Sequence, residues 1–495
     1  MTPVAAPTLH PPRPHRRTQS DVPPQLRPAR QPRPSEQAAG YDRPFWLAYA
    51  ANLLLASAAS LLFRYADFVT LLGGTEFHLG WIVGVGMVGS LAMRLFLGSW
   101  IDRYGARLLW LGSLLLFVAT CFAHLAVASH TGAAIYLLRI GYCCAVAGVG
   151  GSSMTFVSMR TCNDRLAEMV GMLGTGGFVG IVVGTELGDL LFGSVGIVPA
   201  QVAQMFIVAA LLGLLAVPFA WAAARGQGPG VRGQGSGIRG QGAGVRDQGT
   251  GIREQGLEIR NSKSANLQIC KSSNLQISKS LNPSVPREPS LLSLVRRYSP
   301  GDILIIGVTM GMALGLPGTF LRTFAAERGI PRIGLFFLVY CIAAVAIRVP
   351  TRRWAERFGP RRIILLGMAG MTASVAIFPL VRTEWHLAFP AIGFGCSHAI
   401  LWPAVVAAGS VAFPPKNRGL ATVLLLAAWD LGLVVASPAV GIILSHSASL
   451  GLPPYPTMFL SMAALLTLVT LWYAAHRPAP APAAATQPKS EQKAA

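Results

Sequence analysis

The stretch GSWIDRYGAR, residues 98–107, lies directly after one run of mostly apolar residues and directly before another. An Asp, two Arg and two Gly between such runs make a polar reversal of the chain. Gly105 supplies a backbone without a Cβ penalty where that turn is tightest. Arg103 and Arg107 suit a membrane interface, and Asp102 can face an Arg or the N-terminal end of a neighbouring helix. Nearly the same pattern returns 254 residues later as RRWAERFGPR, residues 352–361. At that offset Arg94 matches Arg348, Trp100 matches Trp354, Asp102 matches Glu356, Arg103 matches Arg357, Tyr104 matches Phe358, Gly105 matches Gly359 and Arg107 matches Arg361. So many matches in one short window indicate an internal duplication, with each copy at the inner end of the second span of its half.

Composition agrees with a membrane chain. Of 495 residues 52% are hydrophobic and 12% charged, and the mean hydropathy is +0.50. Twelve apolar runs are long enough to cross a bilayer as helices, at 45–66, 79–100, 107–127, 132–157, 166–192, 200–223, 301–323, 333–351, 362–381, 386–411, 419–444 and 456–475. The expectation is an all-α integral membrane protein with twelve transmembrane helices in two pseudo-symmetric six-helix bundles. The excess of 41 Lys and Arg over 20 Asp and Glu could signal nucleic acid, so the position of the cations decides. Most of them fall in the tails and in alternate loops. Only Arg64, Arg322, Arg328, Arg332 and Arg382 fall in the outer connections, and Arg94, Arg139 and Arg348 within spans. That asymmetry orients both termini to the cytoplasm and accounts for the charge with no nucleic-acid partner.

The expected organisation is a disordered tail at 1–43, a six-helix bundle at 44–224, a disordered linker at 225–298, a second bundle at 299–476 and a tail at 477–495. The linker carries a seven-residue repeat, GVRGQGS, GIRGQGA, GVRDQGT and GIREQGL. Its Gly content argues against a coiled coil, and its regular Arg spacing suits anionic lipid head groups. The first 43 residues hold no apolar segment of the signal-peptide kind, so the first span is expected to serve as its own insertion signal. Cys121, Cys143, Cys144, Cys341 and Cys396 fall in spans and Cys162 and Cys270 in inner loops, a pattern that suggests neither a disulfide nor a metal site.

Gly98, Asp102, Arg103, Gly105 and Arg107 match the G-x-x-x-D-R-x-G-x-R loop motif of the major facilitator superfamily, and the twelve spans and long central loop resemble that family throughout. The resemblance implies a secondary transporter of the plasma (inner) membrane that moves a small solute by alternating access. No cofactor and no enzymatic chemistry are expected, and a monomer is the expected working unit, although the sequence leaves the oligomeric state open. The loop Asp of that family belongs to a charge network that holds the transporter open to the outside, a role Asp102 would carry. In the second copy Arg352 replaces the Gly and Glu356 the Asp, while Arg357, Gly359 and Arg361 are kept. Lys416 and Arg418 in PPKNRG resemble the basic turn before the eleventh helix.

Ionisable side chains at membrane depth are expensive unless they face a partner or a cavity, which makes Arg94, Arg139, Arg348, Glu186 and Asp430 candidates for function. Arg94 and Arg348 either pair structurally with the loop network or flank a central path suited to an anion. Symmetric Arg residues at this spacing resemble those of the nitrate and nitrite branch, but the Asn of that branch's fifth and eleventh helices is missing from GTGGFVGIVVG and LAAWDLGLVVASPAVG. Asp430, near mid-span, is either a proton carrier or a structural acid paired with an Arg such as Arg348. Its WDLG segment resembles the F-D-x-G of bacterial sugar and drug efflux permeases. Arg139 resembles the fourth-helix Arg of a proton-antiport motif, although the following Gly comes early, at Gly141, and the motif's Gln is missing; in the fifth helix, the Pro that follows the central Gly of the drug-antiporter signature is here Ile181. Glu186 and Asp189, near the outer end of the fifth span, read as interfacial. Gly176, Gly180, Gly184 and Gly188, at spacing four, would admit a neighbouring helix closely. His398, Trp402 and Tyr142 are candidates to line a cavity, and His398 titrates near physiological pH. The expected partners are a small-molecule substrate, protons and the lipid bilayer. Motifs for a membrane enzyme, GxSxG, HExxH or a P-loop, do not occur. A non-transporting sensor, with the linker as its output, is the rival from another class.

Overall fold

A computed structural model describes residues 41–161, 165–193, 197–225, 298, 300–351, 354–413 and 418–476. The two tails, the linker with its repeat, Cys162, Cys270, Arg352 and Lys416 lie outside the described residues, as do the side chains of Glu356 and Arg418. Most of the described residues are helix, because a bilayer offers backbone groups no water and a helix satisfies them within one segment. The helices are α1 (Arg43–Leu71), α2 (Glu76–Tyr104), α3 (Ala106–His124), α4 (Ala133–Arg160), α5 (Leu166–Phe192), α6 (Pro199–Ala224), α7 (Gly301–Glu327), α8 (Gly334–Thr351), α9 (Pro360–Ile377), α10 (Ala388–Val411), α11 (Arg418–Ser449) and α12 (Pro454–Ala475). Eleven of them are long and apolar enough to cross a membrane, and the apolar part of α8, Gly334–Arg348, is shorter. Leu137, Leu190, Leu380 and Leu468 point away from the protein interior, as lipid contact requires.

The duplication seen in the loops extends to the packing. Helix α1 packs on α5 and α6 as α7 packs on α11 and α12; α2 packs on α4 as α8 packs on α10; α3 packs on α4 and α6 as α9 packs on α10 and α12. The two halves meet along exchanged equivalents, α2 against α11 and α5 against α8. Each loop copy is built on one left-handed glycine. Gly105 has φ 85° and ends α2, and Gly359 has φ 83° and ends a short helix, Trp354–Phe358. The next helix starts at the following residue in both copies, with Pro360 at the first position of α9.

The glycine stripe of α5 does face a neighbour. A Cβ on Gly176 would meet the Tyr49 ring, one on Gly180 the Leu53 carbonyl and Ala56, one on Gly184 the Ser57 carbonyl, and one on Gly188 Leu61 and Arg64, all on α1. At that separation side chains bond across to backbone. Ser60 Oγ donates to the Gly180 carbonyl at 3.1 Å, and Asn52 Nδ2 donates to the Leu173 carbonyl at 3.1 Å. On the boundary between the halves, Gly80 and Gly84 of α2 give way to Ser437 and Pro438 of α11, and Gly441 of α11 to Phe77.

One boundary departs from expectation with consequences. The first span, expected to end at 66, continues through a 3-10 turn at Leu62–Arg64 to Leu71. Arg64, counted with the outer connections although it falls in the last turn of that expected span, is inside the protein and 2% exposed, and Arg322, counted likewise, lies within α7. Acids buried beside them hold these charges in place.

Gly184→Ala should push α1 from α5, because the new methyl group faces backbone rather than a flexible side chain; loss of about 1–3 kcal/mol is expected from overpacking of this kind. Gly174→Ala, where nothing lies within 4 Å of a built Cβ, should hold or raise the melting temperature in detergent by improving helix propensity. Equal melting temperatures for the two variants would contradict the packing.

Candidate functional site

Between the halves lies a cavity of about 580 Å³, walled by α1, α2, α4 and α5 on one side and α7, α8, α10 and α11 on the other. Its surface is mostly aromatic and aliphatic, with Phe63, Phe336, Phe337 and Trp429 prominent. Five residues expected on the path or the cavity wall line it, Arg94, Arg139, Tyr142, Asp430 and His398, together with Ser90 and Tyr340.

Asp430 is 2% exposed and reaches from α11 to α2. Its Oδ2 accepts from Arg94 Nε at 2.5 Å and from Ser90 Oγ at 2.7 Å, and its Oδ1 accepts from Arg94 Nη2 at 3.4 Å. The Arg partner of Asp430 is thus Arg94 and not Arg348. Arg348 has no ion pair or hydrogen bond among the described residues, lies 6.0 Å from the centre of the Phe178 ring, and stands outside the cavity wall. The structure does not bring Arg94 and Arg348 together as two flanking cations, because the Asp430 carboxylate already neutralises the first. Tyr340 OH and His398 Nδ1 share a hydrogen bond, and the His398 ring lies 5.6 Å from that of Trp429. Trp402 packs edge-on to Trp429, also at 5.6 Å, and supports the wall without being part of it.

Arg139 enters from α4. Gly86 of α2 makes room for its stem, since a Cβ there would collide with the Arg139 methylenes. The guanidinium carbon lies 4.2 Å from the centre of the Tyr65 ring and 4.7 Å from that of Tyr142. Both contacts are in cation–π range.

At one end the cavity is shut. Phe63 and Phe337 meet across the halves with ring centres 4.8 Å apart. Beyond them lies a buried ion cluster that sequence reasoning missed. Arg64 donates through Nη1 to Asp67 Oδ2 at 3.1 Å and through Nη2 to Asp189 Oδ1 at 2.6 Å. Arg322 Nε donates to Asp67 Oδ2 at 3.0 Å, tying α7 to α1. Asp189 Oδ2 then accepts the backbone N–H of Ile333 and Gly334 at 2.9 and 2.6 Å, tying α5 to the start of α8. Those N–H groups are among the four that a helix N-terminus leaves free, so the carboxylate completes the first turn of α8. Asp189, read as interfacial, is 5% exposed, whereas Glu186 is exposed. The available signal was Arg64-x-x-Asp67, one helical turn apart at the end of an apolar run, but that spacing is common on surfaces.

The opposite end, where the GSWIDRYGAR turn lies, is open in its contacts. Asp102, Arg103 and Gly105 are exposed, Arg107 is half-buried, and Asp102 makes no ion pair among the described residues. A Cβ on Gly98 would meet nothing within 4 Å, so its place in the motif has no packing explanation here. In the second copy Arg357 lies over Phe358 at 5.8 Å. Arg361 Nη2 caps α12 by donating to the carbonyls of Tyr473, Ala474 and His476 at 2.8–2.9 Å.

Among solved structures the fold is similar to the nucleoside transporter NupG, with TM-score 0.62 and 14% identity over 88% of this chain and 98% of that one. It is also similar to a D-xylose-proton symporter, with TM-score 0.61 and 13% identity over 87% of this chain and 97% of that one. At such identities the likeness concerns the fold. In sequence the chain is 24% identical over 141 residues to a chloramphenicol efflux pump of Mycobacterium tuberculosis, covering 28% of this chain and 32% of the relative. It is 27% identical over 180 residues to a candidate tartrate transporter of Agrobacterium vitis, covering 36% of this chain and 37% of the relative. The matches thus span about a third of the length of these relatives. The model of the Major Facilitator Superfamily matches residues 45–331 and 303–495, which takes in all twelve helices. With the duplicated loop, the exchanged helix contacts and the central cavity in agreement, the chain belongs to the Major Facilitator Superfamily.

Proposed function

We propose that the chain is a monomeric secondary transporter of the plasma (inner) membrane, with both termini in the cytoplasm, that moves a small organic solute by alternating access and couples it to protons through Asp430. The observation that carries this reading is the Arg94–Asp430 ion pair, which spans the boundary between the halves on the wall of the cavity. A proton on Asp430 removes the negative charge, weakens the pair and frees α11 from α2. Its loss restores the pair. The protonation state of one carboxyl group thereby biases the packing of two bundles, which is what coupling requires.

The cation-rich loops orient the GSWIDRYGAR turn to the cytoplasm, so the ion cluster of Arg64, Asp67, Asp189 and Arg322 closes the outer side. In this state Asp102 has no ion-pair partner among the described residues. The superfamily resemblance gives that Asp its partners when the outer side opens, so the two charge groups act in alternate states. A cavity of about 580 Å³ suits a drug-sized solute, and the relatives named for chloramphenicol efflux and candidate tartrate transport are compatible with a small organic molecule.

In proteoliposomes with an imposed pH gradient, with chloramphenicol and tartrate as first probes, the parent should drive solute movement. Asp430→Asn should retain exchange between equal pools and lose the response to the gradient; parent transport that ignores pH would sink the coupling. Asp102→Asn should leave the melting temperature unchanged, because an exposed side chain of this kind contributes within about 0.5 kcal/mol, yet slow transport. Full transport at normal expression would remove Asp102 from gating. Asp189→Asn takes the charge from the outer closure. In whole cells it should increase labelling of Cys143, a cavity residue, by a membrane-impermeant maleimide added outside, and unchanged labelling would show that the cluster does not hold this side shut.

A further inference from the structure

The charges on the cavity wall do not balance. Arg94 is neutralised by Asp430. Arg139 forms no hydrogen bond or ion pair with any described residue, and its Nε and Nη1 are buried without an acceptor. The titratable groups that face it are Tyr65, Tyr142, Cys121, Cys143 and His124, none of them a carboxylic acid. Arg348 stands outside the wall and supplies no negative charge.

Burying a guanidinium without an anion is far costlier than burying a paired one. The faces of Tyr65 and Tyr142 offset part of that cost, yet they leave its N–H donors unfilled. Escape to the surface is blocked as well. Arg139 lies six residues, about 9 Å, inside the first residue of α4, with its stem held against Gly86 and the Tyr65 ring across its head. A cation so fixed, half-buried on the cavity wall, has no acid among the described residues to balance it.

We propose that Arg139 receives the anionic group of the transported molecule, and that the substrate class is an amphipathic organic monocarboxylate. This rests on the reading that the cavity is the transport site. The planar fork of a guanidinium fits a carboxylate with two parallel hydrogen bonds. One unpaired cation on the wall asks for one negative charge. The aromatic surface of Phe63, Phe336, Phe337 and Trp429 takes the apolar body of the molecule. Inorganic anions such as nitrate fill the charge and leave that surface unused, so they should bind more weakly.

The test is binding to the purified full-length protein in detergent, with no gradient present. Benzoate and octanoate are each compared with the corresponding amide, and sodium nitrate serves as the inorganic control. The acids should raise the melting temperature and the amides should not. Arg139→Gln should weaken acid binding on the order of 100-fold, as loss of a buried charge partner does. Arg139→Lys, which keeps the charge and loses the fork, should weaken it by roughly 10-fold. Without ligand, Arg139→Gln should melt at or above the parent, because it removes an unpaired buried charge; a purely structural arginine would give the opposite shift. The proposal is overturned if the amides stabilise as well as the acids, if acid binding survives Arg139→Gln, or if no acid binds the parent. A protein that binds acids but ignores the pH gradient keeps this inference and loses the coupling by Asp430. One that couples protons to neutral solutes alone does the reverse.

Discussion

A charge enclosed in an apolar, membrane-spanning protein needs a partner, and the architecture of this chain follows from where the partners are found. Asp67 and Asp189 compensate Arg64 and Arg322 at one end of the boundary between the halves, and Asp430 compensates Arg94 near its middle. Of these pairs Arg322–Asp67 and Arg94–Asp430 cross between the halves, whereas both acids on Arg64 belong to its own half. Breaking such a pair while its members stay buried costs about 3–5 kcal/mol, whereas a group that gains water as it separates loses much less. Under the proposed alternating access, the same interactions would hold the halves together in one arrangement and release them in another.

Contacts within a half are of a different kind. Helices α1 and α5 approach through Gly180 and Gly184 until a single methyl group would meet backbone. Surfaces packed so closely resist sliding, because packed interiors change between discrete arrangements rather than deform continuously. Under the proposed alternating access, motion would be directed to the boundary, where the first part of α2 lies tight against α11 at Gly80 and Gly84 and its later part faces the cavity through Arg94, paired with Asp430.

Much of the fold was legible in the sequence because it is written in residue types with strong local meaning. Apolar runs of bilayer length fixed the helices, and the repeat of Asp102-Arg103-x-Gly105 as Glu356-Arg357-x-Gly359 revealed the duplication, with Gly105 and Gly359 taking matching left-handed conformations. The glycine spacing in α5 pointed to its close neighbour. Pairing was the part that could not be read. Arg94 was a candidate, but a linear sequence does not say whether the carboxylate 336 residues away belongs to it or to Arg348. Arg64 and Arg322 were counted with the outer connections because each falls within the last turn of its expected span, and the acids that hold them inside, Asp67 and Asp189, show only in the fold. The importance of Asp189 was invisible for the same reason, since two of its partners are backbone N–H groups of α8.

The two proposed roles in the cavity constrain each other through charge. With Asp430 ionised, the wall carries Arg94 and Arg139 against one carboxylate, a surplus of one positive charge. A bound monocarboxylate cancels it. A proton on Asp430 in the absence of substrate raises the surplus to two, the least favourable count for a cavity surrounded by apolar side chains. Protonation of Asp430 and occupation of Arg139 by an anion therefore assist one another, since each lowers the electrostatic cost of the other. The linkage is reciprocal, so an anion bound at Arg139 strengthens proton binding at Asp430 by the same factor that the proton strengthens anion binding. Coupling in one direction of travel then needs no contact between the two sites, only the shared low-dielectric space between them.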